Sequence, residues 1–206
     1  MSIVWPLGHG QSSVAALERV VPPAVAPVTL SEAKAQARVA FDDDDGLIFS
    51  LIDAAVDLFD GDGQLNRAII TQTWAQWGPQ SPGRMRLLMG PFQSLVSVEY
   101  YDADGVLQAA DIADYEIRKD GDFVTIEPKP GAAWPRTQAR QDAIKITYKA
   151  GFGDAASDVP QGIRHAILLI VAYWYDNRAA ASDVNLRDAP MAVDALIGRH
   201  RVGWYG

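Results

Sequence analysis

Residues 161–178, QGIRHAILLIVAYWYDNR, include ten consecutive apolar or aromatic residues at positions 166–175. Asp158 and Gln161 have the spacing of a capping box, and Pro160 suits a first helical turn, where a missing N–H costs nothing. The apolar run is too short to cross a bilayer, which requires about 20 residues. It therefore predicts a helix buried on nearly all sides, either at the centre of the core or covered in part by another copy or a partner.

Two further helices are predicted before this segment. Thr29 and Glu32 form a capping-box pattern that opens a helix over residues 30–39. Apolar residues then recur at three- and four-residue spacing over residues 46–60, which is typical of an amphipathic helix. Four consecutive aspartates at positions 42–45 precede this second helix, where negative charge favours the positive end of the helix macrodipole.

The middle of the chain changes to the shorter period of β-strands. Strand-like segments fall within residues 68–150 and are joined by turns at residues 102–105 and 120–122. The buried helix is predicted next, over residues 160–181, and a short helix over residues 190–199 follows a polar loop. This order predicts an α+β fold, in which the N- and C-terminal helices form a helical bundle with an inserted small antiparallel β-sheet block.

These elements divide the chain into three parts. Residues 1–27 are rich in Gly, Pro and Ser and predict a flexible N-terminal arm, in which residues 14–21 form at most a helical turn or two. Residues 28–181 contain the helices at 30–39, 46–60 and 160–181 and the inserted strands, and form the predicted main domain. Residues 182–206 are predicted to be a C-terminal helix and tail.

The composition limits the classes of function. The chain has 206 residues, a net charge of −8 and no cysteine, which excludes disulfides, thiolate metal sites and cysteine nucleophiles. Residues 1–63 hold ten acidic against three basic residues, an excess that disfavours general binding to DNA phosphates. An acidic protein could still line a passage through which DNA slides, because its surface would not bind the DNA. No segment is long enough to span a membrane and the N-terminus lacks a secretory signal, so we expect a protein made in the cytoplasm.

No catalytic or metal-binding pattern is recognisable. His9, His165 and His200 are the only histidines, and they have no metal-ligand spacing. Helix capping and solvated charge are favoured over cation binding for the aspartates at 42–45, because no EF-hand pattern surrounds them. We therefore expect no catalytic residue, no cofactor and no metal. A metal-dependent, nuclease-like enzyme using these aspartates stays open as an alternative, as do a nucleic-acid-binding module and a generic protein-interaction domain.

The last residues combine arginine with aromatic side chains: Arg199, Arg201, Trp204 and Tyr205. These residue types are enriched at the hot spots of protein interfaces. The segment is either an ordinary frayed tail or an arm that docks on a partner.

Three stretches of the chain resemble the tailed-phage head–tail connector family, whose members are also called adaptor or head-completion proteins. The stretches are residues 28–60 (VTLSEAKAQARVAFDDDDGLIFSLIDAAVDLFD), 68–74 (AIITQTW) and 159–178 (VPQGIRHAILLIVAYWYDNR). Their order and spacing follow the family, and the late APMAVDALIGRHR fits the family's ending. The resemblance covers about residues 28–201.

The resemblance implies a structural, non-enzymatic connector of a phage-like particle, either a virus or a gene transfer agent. Family members form a ring, commonly of twelve copies, between the portal protein and the stopper or tail-completion proteins. The protein would then lie at the head–tail junction of the virion, with residues 28–181 as the connector domain. DNA would pass through the ring without sequence-specific binding. On this interpretation Arg199, Arg201, Trp204 and Tyr205 grip the portal.

Overall fold

In the computed structural model, the described residues are 16–121, 123–177 and 191–202. They contain eight β-strands and four α-helices, which fall into two compact units. The sheet unit comprises Met1–Pro22 and Thr71–Gly151, and the helical unit comprises Pro23–Ile70 and Phe152–Gly206. Each unit is therefore assembled from two separate stretches of the chain.

The sheet unit consists of two antiparallel sheets. Its strands are β1 (Ala16–Val21), β2 (Gln72–Gly78), β3 (Met85–Leu87), β4 (Phe92–Tyr101), β5 (Leu107–Ala110), β6 (Tyr115–Asp120), β7 (Phe123–Pro128) and β8 (Ile144–Ala150). The five-stranded sheet has the order β1-β2-β8-β4-β5, and the three-stranded sheet has the order β3-β7-β6. The predicted turn at residues 102–105 is present, and Gly105 there adopts a φ of 78°.

Buried polar groups connect the two sheets. The Tyr148 hydroxyl on β8 has no solvent exposure and accepts a hydrogen bond from the Met89 N–H at 3.0 Å. The Gln76 side chain on β2 donates to the Arg86 carbonyl on β3 at 2.7 Å and accepts from the Leu88 N–H at 2.9 Å. Burial of the phenol raises the pKa of Tyr148. The network stabilises the sheet unit because a buried polar group left unpaired is costly.

The helical unit is built around one hydrophobic core. Its helices are α1 (Leu30–Gln36), α2 (Asp45–Phe59), α3 (Gln161–Asp176) and α4 (Met191–Ile197). α3 packs against the other three helices. The residues that α3 buries completely are Ile163, Ala166, Ile167, Ile170 and Val171. The apolar run at 166–175 therefore does form a core helix, with a half-buried stripe at Leu168 and Leu169.

The start of α3 differs from the predicted cap. Pro160 occupies the N-cap position, and no side chain caps the helix. The Asp158 carboxylate instead accepts a hydrogen bond from the Ala155 N–H at 3.0 Å, in a short 3-10 turn at Ala156–Asp158. The predicted cap was wrong because this carboxylate is used one turn earlier in the chain.

The predicted fold class is wrong, because it gives helices too large a share of the structure and β-strands too small a share. Among the described residues, eight strands in two antiparallel sheets outnumber four helices, so the molecule is not a helical bundle with a small inserted β-sheet block. One reason is β1, which lies where the sequence predicted an arm. Glu18 and Arg19 have no strong strand preference, and pairing with β2 makes this segment a strand. The division into arm, connector domain and tail concerns assembly and stays a prediction.

No helix in the described ranges combines the length and apolar character needed to span a bilayer.

Candidate partner interface

The last described residues are fixed to the loop that follows α2. The Val202 N–H donates to the Leu65 carbonyl at 3.1 Å, and the Asn66 side-chain N–H donates to the Val202 carbonyl at 3.1 Å. The Arg201 Nε donates to the Gln64 carbonyl at 3.0 Å. Both backbone groups of Val202 are therefore held in place by the helical unit.

The loop that receives this segment has a constrained backbone. The buried Asp60 carboxylate accepts a hydrogen bond from the Ile69 N–H at 2.8 Å. A Cβ at Gly63 would lie 2.6 Å from the Leu58 carbonyl oxygen, so only glycine fits there. Asn66 adopts a φ of 52°, a left-handed conformation that asparagine tolerates better than most residues. The loop thus offers the C-terminal segment a rigid point of attachment.

Two of the four predicted interface residues lie in the part of the chain that the structure describes. Arg199 is exposed in the turn after α4. Arg201 also contacts Asp194 at 3.3 Å, and its side chain is 43% exposed, so this surface ion pair adds little stability. Trp204 and Tyr205 lie outside the described residues. Arg199 is available to a partner, whereas Arg201 is partly engaged within its own chain.

His200, between these arginines, lies against α3. Burial, together with the charges of Arg67 and Arg199, lowers the pKa of His200 below its ordinary value of 6.5. A Cβ at Gly162 would lie 3.4 Å from the His200 Nε2. The neutral ring is favoured near pH 7, so the positive charge of this segment comes from its arginines.

Three of the four aspartates at 42–45 bind groups of the helical unit. Asp44 is the backbone N-cap of α2 but makes no side-chain cap, because its carboxylate accepts the Tyr175 hydroxyl of α3 at 2.5 Å. The Lys34 Nζ of α1 donates to Asp42 at 2.5 Å and to Asp45 at 2.6 Å. These bonds lower the pKa of Asp42 and raise that of Lys34. Asp45 lies in the first turn of α2, as predicted, but the main role of the cluster is to tie three helices together.

The same contacts bear on the metal hypothesis. Within residues 16–121, 123–177 and 191–202, no three His, Asp or Glu side chains are arranged to hold a metal ion. An ammonium group already lies between the Asp42 and Asp45 carboxylates. The expectation of a chain without a metal stays a prediction.

The predicted capping box at α1 is confirmed and has a second function. The Thr29 Oγ1 accepts from the Glu32 N–H at 3.2 Å, and Glu32 accepts from the Thr29 N–H at 2.8 Å. Glu32 also forms an ion pair with Arg164 of α3, whose Nε donates to the Pro27 carbonyl at 3.1 Å. The hydrogen bonds from Thr29 and the charge of Arg164 lower the pKa of Glu32.

The comparison with protein families gives a match over most of the chain. The sequence model of the head completion protein family (HCP) matches residues 28–186. The chain belongs to the head completion protein family. The function predicted from the sequence, a structural head–tail connector at the head–tail junction of a phage-like particle, is confirmed by this membership. The four predicted portal-binding residues lie beyond the matched range, so their role is a separate proposal.

This head completion protein is similar in fold to chains of gene transfer agent (GTA) particles. One lies in the neck of an empty GTA particle computed with C6 symmetry, with a TM-score of 0.72 and 22% sequence identity. Another belongs to the virion of a native GTA particle, with a TM-score of 0.71 and 21% identity. A third lies in the neck of a native GTA particle computed with C12 symmetry, with a TM-score of 0.65 and 23% identity. Each alignment covers 91% of this chain and 95% of the other chain. The comparison with curated proteins gives no match.

Proposed function

We propose that this head completion protein forms a ring of twelve copies that joins the portal protein to the stopper or tail-completion protein around a DNA channel. The family match over residues 28–186 carries the proposal. The fold it shares with a neck chain computed with C12 symmetry supports the copy number. In this proposal the role is purely structural, without catalysis, cofactor or metal.

The C-terminal segment is the portal-binding arm in this proposal. Arg199 is exposed, and Val202 is held at both its N–H and its carbonyl. Trp204 and Tyr205 follow within three residues of this fixed point. An arm that starts from a fixed position loses less conformational entropy on binding than one that starts from a free end.

The charge distribution supports passage of DNA without retention. The helical unit holds 15 acidic and eight basic residues, and the sheet unit holds 11 acidic and ten basic residues. A surface with excess negative charge does not release counterions from DNA phosphates, so it gains no affinity from them. The nuclease-like alternative has no comparable support, because Lys34 already binds Asp42 and Asp45.

The proposal is tested by mixing the purified protein with the portal protein encoded beside it and examining the product by negative-stain microscopy. We expect a ring at the narrow end of the portal, with the mass of twelve copies. Absence of association with an intact portal over a range of salt concentrations would contradict the proposal.

The arm is tested by deleting residues 203–206. This deletion leaves the backbone hydrogen bonds of Val202 in place, so the unfolding transition should be nearly unchanged while portal binding is lost. Arg199→Ala should weaken binding, whereas Arg136→Ala, which removes an exposed arginine from the sheet unit, should not. Normal portal binding by the truncated protein would exclude the arm.

A further inference from the structure

The five-stranded sheet ends in two edges, β1 and β5, among the described strands. An edge strand presents a row of backbone N–H and C=O groups that another strand can pair with. Natural proteins commonly block such edges with charged residues or proline. β5 has the sequence LQAA and contains neither, whereas β1 has the sequence ALERVV and carries Glu18 and Arg19.

Exposed apolar side chains occur at both edges. On β1, Val20 and Val21 are 49% and 50% exposed. At the other edge, Leu107 of β5 is 42% exposed, and the flanking Val106 and Ile112 are 53% and 45% exposed. Pairing with a further strand would cover part of this apolar surface and satisfy the edge backbone at the same time.

We propose that β1 of one copy pairs with β5 of the next copy, so that the five-stranded sheets continue from one subunit to its neighbour. This inference rests on the proposed ring. The two edges are different surfaces of one chain, so the contact is heterologous, which is the type that builds rings of more than two copies. Pairing of β1 with β1, or of β5 with β5, would be isologous and would stop at a dimer.

The absence of cysteine makes the contact testable by site-specific cross-linking. Glu18 lies near the middle of β1 and Ala109 near the middle of β5, and both are exposed. Glu18 is opposite Ala75, which is opposite Thr147 of β8, and Ala109 is opposite Glu99, which is opposite Lys145 of β8. Thr147 and Lys145 are two residues apart on one strand, so Glu18 and Ala109 lie on the same face of the sheet. The variant Glu18→Cys/Ala109→Cys is treated with a short bis-maleimide, both bound to the portal and as concentrated free protein.

We expect a ladder of multiples of the monomer mass on a denaturing gel from the double variant, and monomer only from each single variant. A matched control, Glu18→Cys/Asp120→Cys, carries its second thiol at the exposed tip of the β6–β7 hairpin and should give no ladder. Ala109→Lys places a charge on the edge and should lower the yield of rings.

The possible results separate this inference from the proposed function. Portal binding without a ladder in either sample would overturn edge pairing and leave the connector function intact. Failure of the unmodified protein to bind the portal would contradict the proposed function. Edge pairing would then be tested only by cross-linking of the double variant as concentrated free protein. Dimers from a single variant would indicate an isologous contact and would overturn the pairing of β1 with β5. A cross-link from either edge to another neck protein, identified by mass spectrometry, would overturn it as well.

Discussion

Among individual residues, Trp174 contributes a large aromatic side chain to the core of the helical unit. Its side chain is 7% exposed, and its indole N–H has no hydrogen-bond partner among the described residues. We expect Trp174→Ala to lower the free energy of unfolding by about 3–5 kcal/mol, because it leaves a large cavity. Trp174→Phe should cost clearly less, since it keeps a ring and removes an unpaired buried donor. Urea unfolding followed by circular dichroism measures both, and equal losses would contradict this account.

Glu32 should make the stability of the fold sensitive to acid. Its pKa is lowered below the ordinary value of 4.5 by the hydrogen bonds from Thr29 and by Arg164. The stabilisation is therefore fully present above pH 4.5 and is lost as the pH falls through the lowered pKa. Glu32→Gln should lose less stability between pH 5 and pH 3 than the unmodified protein. Parallel loss in both proteins, measured by urea unfolding at each pH, would assign the acid sensitivity to other carboxylates.

At the scale of secondary structure, elements marked by local patterns were predictable. Thr29 and Glu32 marked the start of α1, and the helical periodicity located α2 to within one residue at each end. Both signals act within one or two turns of a helix, which is the range over which sequence spacing sets geometry. The strand-like segments predicted within residues 68–150 were also correct in kind, because strands β2 to β8 lie in this range.

Elements that depend on distant partners were not predictable in this way. β1 becomes a strand through pairing with β2, about 55 residues further along the chain. The Glu32–Arg164 and Asp44–Tyr175 contacts join residues 132 and 131 positions apart. Rules based on the spacing of residues in the sequence do not predict contacts over such separations. The anchoring role of Asn66 has one local signal, because asparagine tolerates a left-handed backbone, but the sequence does not indicate Val202 as its partner.

The attachment of the C-terminal segment can be tested at the level of this element. Asn66→Gly keeps the left-handed backbone accessible and removes the hydrogen bond to the Val202 carbonyl. We expect faster hydrogen exchange at the amides of residues 198–202, with global stability changed by about 1 kcal/mol. Asn66→Asp also lacks the N–H donor and should show the same faster exchange. Unchanged exchange in both variants would mean that this bond does not hold the segment.

For the whole molecule, the discontinuity of the two units predicts that the sheet unit can be removed. Within the helical unit, the Phe152 N–H donates to the Ile69 carbonyl at 3.0 Å, and Ile70 pairs with Gly153. The two ends left by deleting residues 71–151 are therefore adjacent. Deleting residues 1–22 as well, and replacing residues 71–151 by a short glycine–serine linker, removes the whole sheet unit and should give a helical protein that unfolds cooperatively, as judged by circular dichroism. A product without cooperative unfolding would show that the helical core requires the sheet unit.

The same discontinuity has a consequence for synthesis on the ribosome. α2 cannot pack against α3 until α3 has been synthesised, and Asp44 lies 131 residues before its partner Tyr175. At roughly 5–20 residues per second, the delay is about 7–26 seconds. During that time the apolar side of α2, including Ile48, Ile52 and Phe59, lacks the helix that covers it in the finished core. The nascent chain therefore exposes this apolar surface for many seconds, which is long enough for chaperones of the host cell to bind it.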